Sequence, residues 1–347
     1  MRAAVFRGIG RPLAIEDRPE PAPEPGDLLL AVAACGVCGS DLHATEVPDY
    51  GLTAGTVLGH EFAGTVLESA APGWAPGDRA AAIPFALCGD CEPAGACRDG
   101  LVPVCPRLRG LGFSPAAPGG YAERVRVRAS QALRLPEHVA LRDAALLEPL
   151  AVGAHAAALA EPLAGARALV LGAGPIGLAV AAMARLAGAG AVVVSEPGEA
   201  RRARAAALGA TAVLDPAAGE ARESFAAAAG GAPDLIFECV GMPGMLQRCV
   251  EIAPPHGRIV VVGVCMEEDR LRPRTAIRKE LSLRFAFAYA RADFETALRH
   301  LGSGAIRAGD LVTSVVGLDA LPATFEALRR PGAEVKVLVD PTLRDRE

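Results

Sequence analysis

The chain has 347 residues and a formal net charge of −5. A single hydrophobic core stops growing at about 250 to 300 residues, so this length predicts two domains. The acidic balance provides no basic excess that would neutralise phosphates, which argues against a nucleic-acid or anionic-membrane partner.

The amino-terminal segment has no apolar signal-peptide core and leads directly into strand-like sequence, which predicts a cytoplasmic protein. In that reducing compartment the nine cysteines are expected to be thiols or metal ligands. The longest apolar run, residues 168–184, is interrupted by glycines and Pro175 and is shorter than the ~20 residues of a membrane span. It therefore predicts a buried strand, turn and helix.

Residues 1–150 are predicted to be β-rich. Short apolar runs bounded by Gly, Pro or Asp indicate strands at 3–6, 28–34, 62–67 and 121–127. Between the first two runs, four prolines at alternate positions from Pro19 to Pro25 indicate an exposed loop rather than a central strand.

After residue 150 the hydrophobic period changes. Strands are predicted at 168–171, 191–195, 212–214, 235–238 and 259–264, alternating with helices at 175–186, 198–208, 220–229 and 244–252. This alternation predicts right-handed βαβ units and a doubly wound parallel sheet, a Rossmann domain over 151–289. A last strand at 281–287 is expected at its edge. The segment 290–347, with a helix at 294–301, is expected to complete the first domain.

Two segments of the first domain carry metal-ligand residues. Cys38 lies in Cys35-Gly-Val-Cys-Gly-Ser-Asp-Leu-His43, and His60 and Glu61 follow a short distance along the chain. Thiolate, imidazole and carboxylate form a set that a tetrahedral zinc accepts while keeping one position open for substrate. Ser40 and His43 place a hydroxyl and a second imidazole nearby, which suggests a path for protons. Asp41 either orients the His60 ring or caps a turn.

A dinucleotide fingerprint, Gly172-Ala-Gly174-Pro175-Ile176-Gly177, follows a predicted strand and opens a predicted helix. Its glycines permit the tight turn, the approach of the pyrophosphate and close helix–strand packing, and the helix amino terminus adds partial positive charge.

The end of the second predicted strand bears on cofactor choice. Glu196 is placed to accept hydrogen bonds from the ribose hydroxyls and to repel a 2′-phosphate, which favours NAD over NADP. Arg201 and Arg202 follow it and offer the alternative of gripping a 2′-phosphate.

A second cysteine cluster comprises Cys88, Cys91, Cys97 and Cys105 on a Gly- and Pro-rich loop. Four thiolates satisfy tetrahedral zinc with no open position, so the cluster predicts a structural zinc site. Unliganded thiols are the alternative.

These ordered motifs, together with Leu147-Glu148-Pro149-Leu150, resemble the zinc-dependent medium-chain alcohol dehydrogenase family along nearly the whole chain. The resemblance implies a GroES-like β-rich catalytic domain (1–150 with 290–347) and a Rossmann domain. It also implies that Cys38 and His60 bind zinc and that Glu148 is the third protein ligand. Glu61 is close enough in sequence to compete as a ligand, and our hypothesis is that Glu148 binds at rest and Glu61 exchanges in during turnover. One departure is that position 94 is Ala where the family has the third cysteine of the second cluster.

The resemblance extends to the cofactor and to assembly. It implies that Val240, Val262 and Val264 lie along the nicotinamide and that Lys336 lies near the pyrophosphate. It further implies a homodimer or homotetramer formed through Rossmann edge strands.

The predicted function is a zinc-dependent transfer of hydride between a small-molecule secondary alcohol or diol and NAD. The resemblance implies that the proton leaves through Ser40, the cofactor ribose and His43. Two alternatives are a zinc-free NADPH quinone or enone reductase and a non-catalytic nucleotide-binding relative. The metal ligands and Glu196 count against the first, and the retention of Ser40 and His43 counts against the second.

Overall fold

The computed structural model describes residues 1–86, 105, 108–330 and 332–344. Its chain divides into two compact units, residues 1–148 with 298–347 and residues 149–297. Both boundaries between the units lie within helices. The boundary after residue 148 is in the first turn of the helix Leu147–Leu159, and the boundary after residue 297 is in the helix Arg291–Gly302. No helix within the described residues is long and apolar enough to cross a membrane.

The first part of the chain is mainly β. Its strands are β1 (Arg2–Val5), β2 (Ala14–Asp17), β3 (Asp27–Gly36), β4 (Glu61–Ser69), β5 (Arg79–Ala82), β6 (Phe85–Ala86), β7 (Arg109–Gly110), β8 (Arg124–Arg128) and β9 (Ala132–Arg134). The short helix α1 (Gly39–Ala44) lies between β3 and β4, and the short helix α2 (Leu141–Ala144) follows β9. The strand expected from residue 121 begins at Arg124, because Tyr121 and Ala122 are bound to Ala4 and Ala3 of β1 instead of to the main sheet.

The second unit alternates helices and parallel strands. They are α3 (Leu147–Leu159), β10 (Arg167–Leu171), α4 (Pro175–Leu186), β11 (Ala191–Ser195), α5 (Glu199–Ala205), β12 (Ala212–Leu214), α6 (Ala221–Ala229), β13 (Leu235–Glu238), α7 (Met245–Ile252), β14 (Arg258–Val261), α8 (Pro273–Lys279), β15 (Ser282–Phe285) and α9 (Arg291–Gly302). The sheet order is β12-β11-β10-β13-β14-β15, all parallel. This is the doubly wound arrangement, with its reversal of strand order between β10 and β13.

Two strands of this sheet end earlier than the sequence predicts. The strand β14 stops at Val261, because the backbone N–H of Gly263 turns back to the carbonyl oxygen of Glu238 at 2.8 Å, which also accepts the ladder hydrogen bond from Val262 at 2.8 Å. The last strand, expected over 281–287, is confined to Ser282–Phe285.

The chain then returns to the first unit through β16 (Val312–Val316), α10 (Leu321–Ala327) and β17 (Lys336–Val339). The sheet of this unit has the order β16-β17-β3-β4-β5-β9, and β8 also pairs with β3. A core of alternate apolar side chains lies on it, including Leu28, Leu30, Val32, Phe62 and Phe325.

Strand register fixes the site in the first unit. In the antiparallel pair of β3 and β4, Gly36 lies opposite Glu61, and in the pair of β3 and β17, Gly36 lies opposite Leu338. The end of β3, the start of β4 and the late strand β17 therefore meet at one place. A Cβ atom on Gly36 would lie 1.9 Å from a carboxylate oxygen of Glu61, so only glycine leaves room for that side chain.

Candidate metal and nucleotide sites

The predicted metal ligands come from the ends of β3 and β4. Cys38 follows β3 and forms the amino-terminal cap of α1, and His60 immediately precedes β4. Ligand atoms of Cys38, His60 and Glu61 all lie within 4.8 Å of one another. His60 and Glu61 are buried, and Cys38 is partly exposed, so solvent reaches the group at Cys38. Its donor chemistry fits a four-coordinate zinc with one position left over.

Ser40 borders the same space. Its hydroxyl donates to Cys38 Sγ at 3.3 Å and lies 3.4 Å from Nε2 of His60. A group bound beside these two side chains therefore meets the Ser40 hydroxyl. His43, the other member of the expected proton path, lies partly buried on α1.

The carboxylate of Asp41 links the two candidate ligands. It accepts hydrogen bonds from Nδ1 of His60 at 3.2 Å, from the backbone N–H of Cys38 at 3.2 Å and from the hydroxyl of Tyr121 at 2.6 Å. Burial opposes the charge of this carboxyl group, but the attraction of His60 and the hydrogen bonds outweigh it and hold the pKa of Asp41 below its usual value. Asp41 thus both caps the turn and orients the ring. With Nδ1 donating, the lone pair of Nε2 is left for a metal.

Glu61 is paired with a buried lysine. Nζ of Lys336 donates to both carboxylate oxygens of Glu61 at 2.7 Å and to the carbonyl oxygen of Val37 at 3.0 Å. Burial disfavours the ammonium charge, but the Glu61 carboxylate outweighs it and raises the pKa of Lys336. The sequence placed Lys336 near the cofactor pyrophosphate. In the structure the buried Lys336 ammonium bonds the Glu61 carboxylate instead. Its contact with the pyrophosphate stays a prediction.

Glu148, the expected third ligand, lies in the first turn of α3 and is almost fully buried. Among the described residues, the group whose ligand atoms lie within 4.8 Å of one another contains Glu61 and not Glu148. Its negative charge contributes to raising the pKa of Lys336. Its role as a ligand therefore remains a prediction.

Aromatic rings form one side of this site. The Phe113 ring lies 5.2 Å from that of His60, and the Phe85 ring stacks on Phe113 at 6.1 Å. A substrate bound beside His60 would meet an apolar wall here.

The second cysteine cluster falls mostly outside the described residues. Cys88, Cys91 and Cys97 lie there, whereas Cys105 is described and is buried. A structural zinc on these four cysteines stays a prediction.

The fingerprint glycines of the second unit take the positions that a nucleotide loop needs. Gly172 follows β10 with φ of 95°, and a Cβ atom on Gly177 would lie 2.0 Å from the carbonyl oxygen of Gly172. The space beside Gly174 is open, since a Cβ atom there meets nothing within 4 Å. Pro175 and Ile176 begin α4, so its free backbone N–H groups face the loop. The loop fits a dinucleotide.

Glu196 follows β11 and is buried. Its carboxylate accepts hydrogen bonds from the backbone N–H of Ala173 at 2.8 Å and of Gly198 at 2.9 Å. It therefore stabilises the fingerprint loop from within, in addition to the expected contact with ribose.

The two arginines after Glu196 differ. Arg202 donates to the carbonyl oxygens of Glu196 and Pro197 at 2.6 Å and forms an ion pair with Asp215 at 3.2 Å. These contacts leave Arg202 less available for a phosphate. Arg201 lies beside it, partly buried on α5.

The three valines expected near the nicotinamide follow β13 and β14. Val240 and Val264 are exposed and Val262 is buried. A residue that the sequence reasoning did not single out holds this region: the buried carboxylate of Glu238 accepts from the backbone N–H of Val240 at 2.6 Å and of Gly241 at 3.0 Å. The sequence signal that could have identified Glu238 is an acidic residue at the end of a buried apolar strand.

Comparison with known proteins agrees with both units. The family model for the alcohol dehydrogenase GroES-like domain matches residues 24–137, and that for the zinc-binding dehydrogenase matches 175–303. A 2-dehydro-3-deoxy-L-galactonate 5-dehydrogenase of Pseudoalteromonas atlantica is 32% identical over 92% of this chain and 93% of its own. The chain belongs to the zinc-dependent medium-chain alcohol dehydrogenase family.

Other members are similar over the full length. An (R,R)-butanediol dehydrogenase of Neisseria gonorrhoeae is 32% identical over 99% of this chain and 100% of its own. A crystal structure from Sinorhizobium meliloti 1021, described as a zinc-binding dehydrogenase bound to NADP, superposes with a TM-score of 0.89 at 32% identity. It covers 98% of this chain and 99% of that one. The family resemblance and the GroES-like plus Rossmann fold are thus confirmed.

The buried pair of Glu61 and Lys336 yields a stability prediction. Replacing Lys336 by Met removes the ammonium and leaves a buried carboxylate without its counter-charge, which should cost about 3 to 5 kcal/mol. We expect urea unfolding of the metal-free protein to show this loss for Lys336→Met. The double variant Lys336→Met/Glu61→Gln, which leaves no unpaired charge, should recover a large part of it. A single variant as stable as the unmodified protein would contradict the prediction.

Proposed function

We propose that this family member is a zinc-dependent oxidoreductase that transfers a hydride between a secondary alcohol or vicinal diol and NAD. The observation that carries the proposal is the group of Cys38, His60 and Glu61 with the Ser40 hydroxyl beside it. A nucleotide loop of Rossmann geometry in the second unit supports it.

Cys38 and His60 would hold the zinc, and one carboxylate would complete the protein ligands. Bound zinc would supply Lewis acidity, which lowers the pKa of a hydroxyl at its open position by several units, as it lowers that of water to about 7. Bound NAD would supply the hydride acceptor, so oxidation of the alcohol would yield the ketone, NADH and one proton.

The choice of carboxylate ligand follows the family. We propose that Glu148 completes the shell at rest and that Glu61 exchanges in during turnover. Glu61 is close to Cys38 and His60, but its two oxygens are both bound by Lys336 and would have to share that bond. A metal-bound structure with Glu61 far from zinc in every state would contradict the exchange.

Ser40 and His43 would carry the proton outward. Ser40 has its hydroxyl against both candidate ligands, and His43 lies on the same short helix and is partly exposed. A positioned general base typically contributes about 10² to 10⁴-fold, which is less than the effect of the metal on the hydroxyl pKa.

The proposed cofactor is NAD, although a family structure contains NADP. The buried Glu196 carboxylate is fixed by two backbone N–H groups at the end of β11, and Arg202 is occupied by Asp215. A fixed negative charge at the ribose repels a 2′-phosphate.

An alcohol panel tests the function and the cofactor together. We expect NADH to appear with one class among secondary alcohols, vicinal diols, cyclic alcohols and polyols, more readily than NADPH does with NADP, and prior chelation to abolish it. Cys38→Ala should lose this zinc and reduce turnover to background, because a thiolate ligand is gone. The control Cys249→Ala, which removes a buried thiol from the second unit, should keep both.

Two results of the panel would count against the proposal. Turnover that is indifferent to chelation, or reduction of enones by NADPH without alcohol oxidation, would favour a zinc-free reductase.

His43→Ala tests the proton path. We expect slower alcohol oxidation mainly at low pH, where little external base is present, with recovery as pH or buffer-base concentration rises. The readout is kcat across pH, compared with the unmodified protein. A kcat that equals the unmodified value at every pH would remove His43 from the path.

We further propose that the protein assembles through β15. This strand lies at the end of its sheet. Phe285, its last residue, is 69% exposed, and Phe287, two residues beyond it, is 53% exposed. Exposed aromatic side chains on an edge strand are typical of a covered interface.

Phe285→Asp should therefore shift the protein from dimer or tetramer toward smaller species in sedimentation equilibrium. The matched control Val213→Asp changes an exposed side chain on β12, the opposite edge of the same sheet, and should leave the mass unchanged. An unmodified protein that sediments as a monomer would rule the interface out.

A further inference from the structure

Tyr121 lies beneath the candidate metal site and is completely buried. Its backbone N–H donates to the carbonyl oxygen of Leu58 at 3.0 Å, and its own carbonyl oxygen accepts from Ala4 at 2.8 Å. These bonds hold the residue on both sides. Its ring lies against Gly59, where a Cβ atom would come within 2.5 Å of Cδ1, so the ring packs directly under the residue before His60.

The hydroxyl of Tyr121 has one proton and two acceptors in range. It lies 2.6 Å from Oδ2 of Asp41 and 3.4 Å from the carbonyl oxygen of Gly36. The shorter distance identifies Asp41 as the acceptor. Because Asp41 is fully buried, no solvent can replace this bond if the hydroxyl is removed.

The other donors to Asp41 belong to the ligand segments themselves. Nδ1 of His60 bonds Oδ1, and the backbone N–H of Cys38 bonds Oδ2. Of the three donors, Tyr121 alone comes from a different part of the chain. It therefore fixes the carboxylate independently of the two residues that the carboxylate orients.

We propose that Tyr121 is a positioning residue of the metal site and acts through Asp41. The hydroxyl sets the direction of the Asp41 carboxylate, which sets the ring and tautomer of His60 and the backbone at Cys38. The inference rests on the proposed function, since it presupposes zinc at Cys38 and His60. Partners of this kind typically change metal affinity by 10 to 100-fold when removed.

Tyr121→Phe removes a single oxygen and keeps the ring. We expect zinc affinity, measured by competition with a chromophoric chelator on metal-free protein, to fall by about 10 to 100-fold. The visible spectrum of the cobalt-substituted protein should change, because the His60 ring is less constrained. In an Asp41→Asn background, Tyr121→Phe should have little further effect, since both act through one carboxylate.

A packing control separates positioning from general stability. Phe325 meets the Tyr121 ring edge-on, with centroids 6.5 Å apart. Phe325→Leu therefore loosens the packing of the same ring without touching the hydroxyl. It should lower the melting temperature of the metal-free protein and leave zinc affinity and the cobalt spectrum unchanged.

The outcomes separate the inference from the proposed function. Zinc that is lost from Cys38→Ala identifies the site. If that zinc is lost but Tyr121→Phe binds it with unmodified affinity, the role of Tyr121 is wrong and the function stands. If Cys38→Ala retains all of its zinc, both fail. Equal losses in Phe325→Leu and Tyr121→Phe would reduce Tyr121 to a packing residue.

Discussion

A lysine ammonium and a glutamate carboxylate are buried together where β17, β3 and β4 meet. Removing two charges from water is expensive, and their mutual attraction repays it only with good geometry and further hydrogen bonds. Lys336 meets both conditions, because it bonds both oxygens of Glu61 and the carbonyl oxygen of Val37. Such a pair is weak support for stability, but it ties the carboxy-terminal strand to the segment that carries the candidate ligands.

The pair also changes the charge balance of the site. An unpaired Glu61 would add a full negative charge beside a Cys38 thiolate and the buried Asp41 carboxylate. The Lys336 ammonium offsets that charge. A divalent cation held by Cys38, His60 and Glu148, as proposed for the resting site, would therefore face one negative charge fewer. A cation that keeps part of its charge is the better acid toward a bound hydroxyl.

Sequence reasoning predicted local features well and distant partners poorly. The fingerprint, the Cys38 and His60 segments and the βαβ alternation are each encoded within a short window, so their placement followed from spacing and period. The pairing of Glu61 with Lys336 joins residues 275 apart and depends on the order of strands in the sheet. Tyr121 was predicted as the start of a strand, and nothing in its neighbours indicates that its hydroxyl reaches Asp41.

Strand ends were the other source of difference. Apolar character continues past Val261 into Val262 and Val264, so the pattern predicts a longer strand. Hydrogen bonding stops it, because the carbonyl oxygen of Glu238 accepts both following N–H groups. Composition alone does not predict that two backbone N–H groups bond the same carbonyl oxygen.

Three buried carboxylates do the same physical work in the two units. Asp41 accepts from the N–H of Cys38, Glu196 from that of Ala173, and Glu238 from that of Val240. Loops at strand ends leave backbone donors without ladder partners, and an unpaired buried donor costs about 1 to 3 kcal/mol. A carboxylate can satisfy several donors with charge-assisted bonds and so fixes an irregular loop before any ligand arrives. Glu196 and Glu238 share one recognisable pattern, an acidic residue at the end of a buried apolar strand. The sequence pattern that drew attention to Glu196 therefore also identifies Glu238, and both carboxylates stabilise the loop that follows or faces their strand.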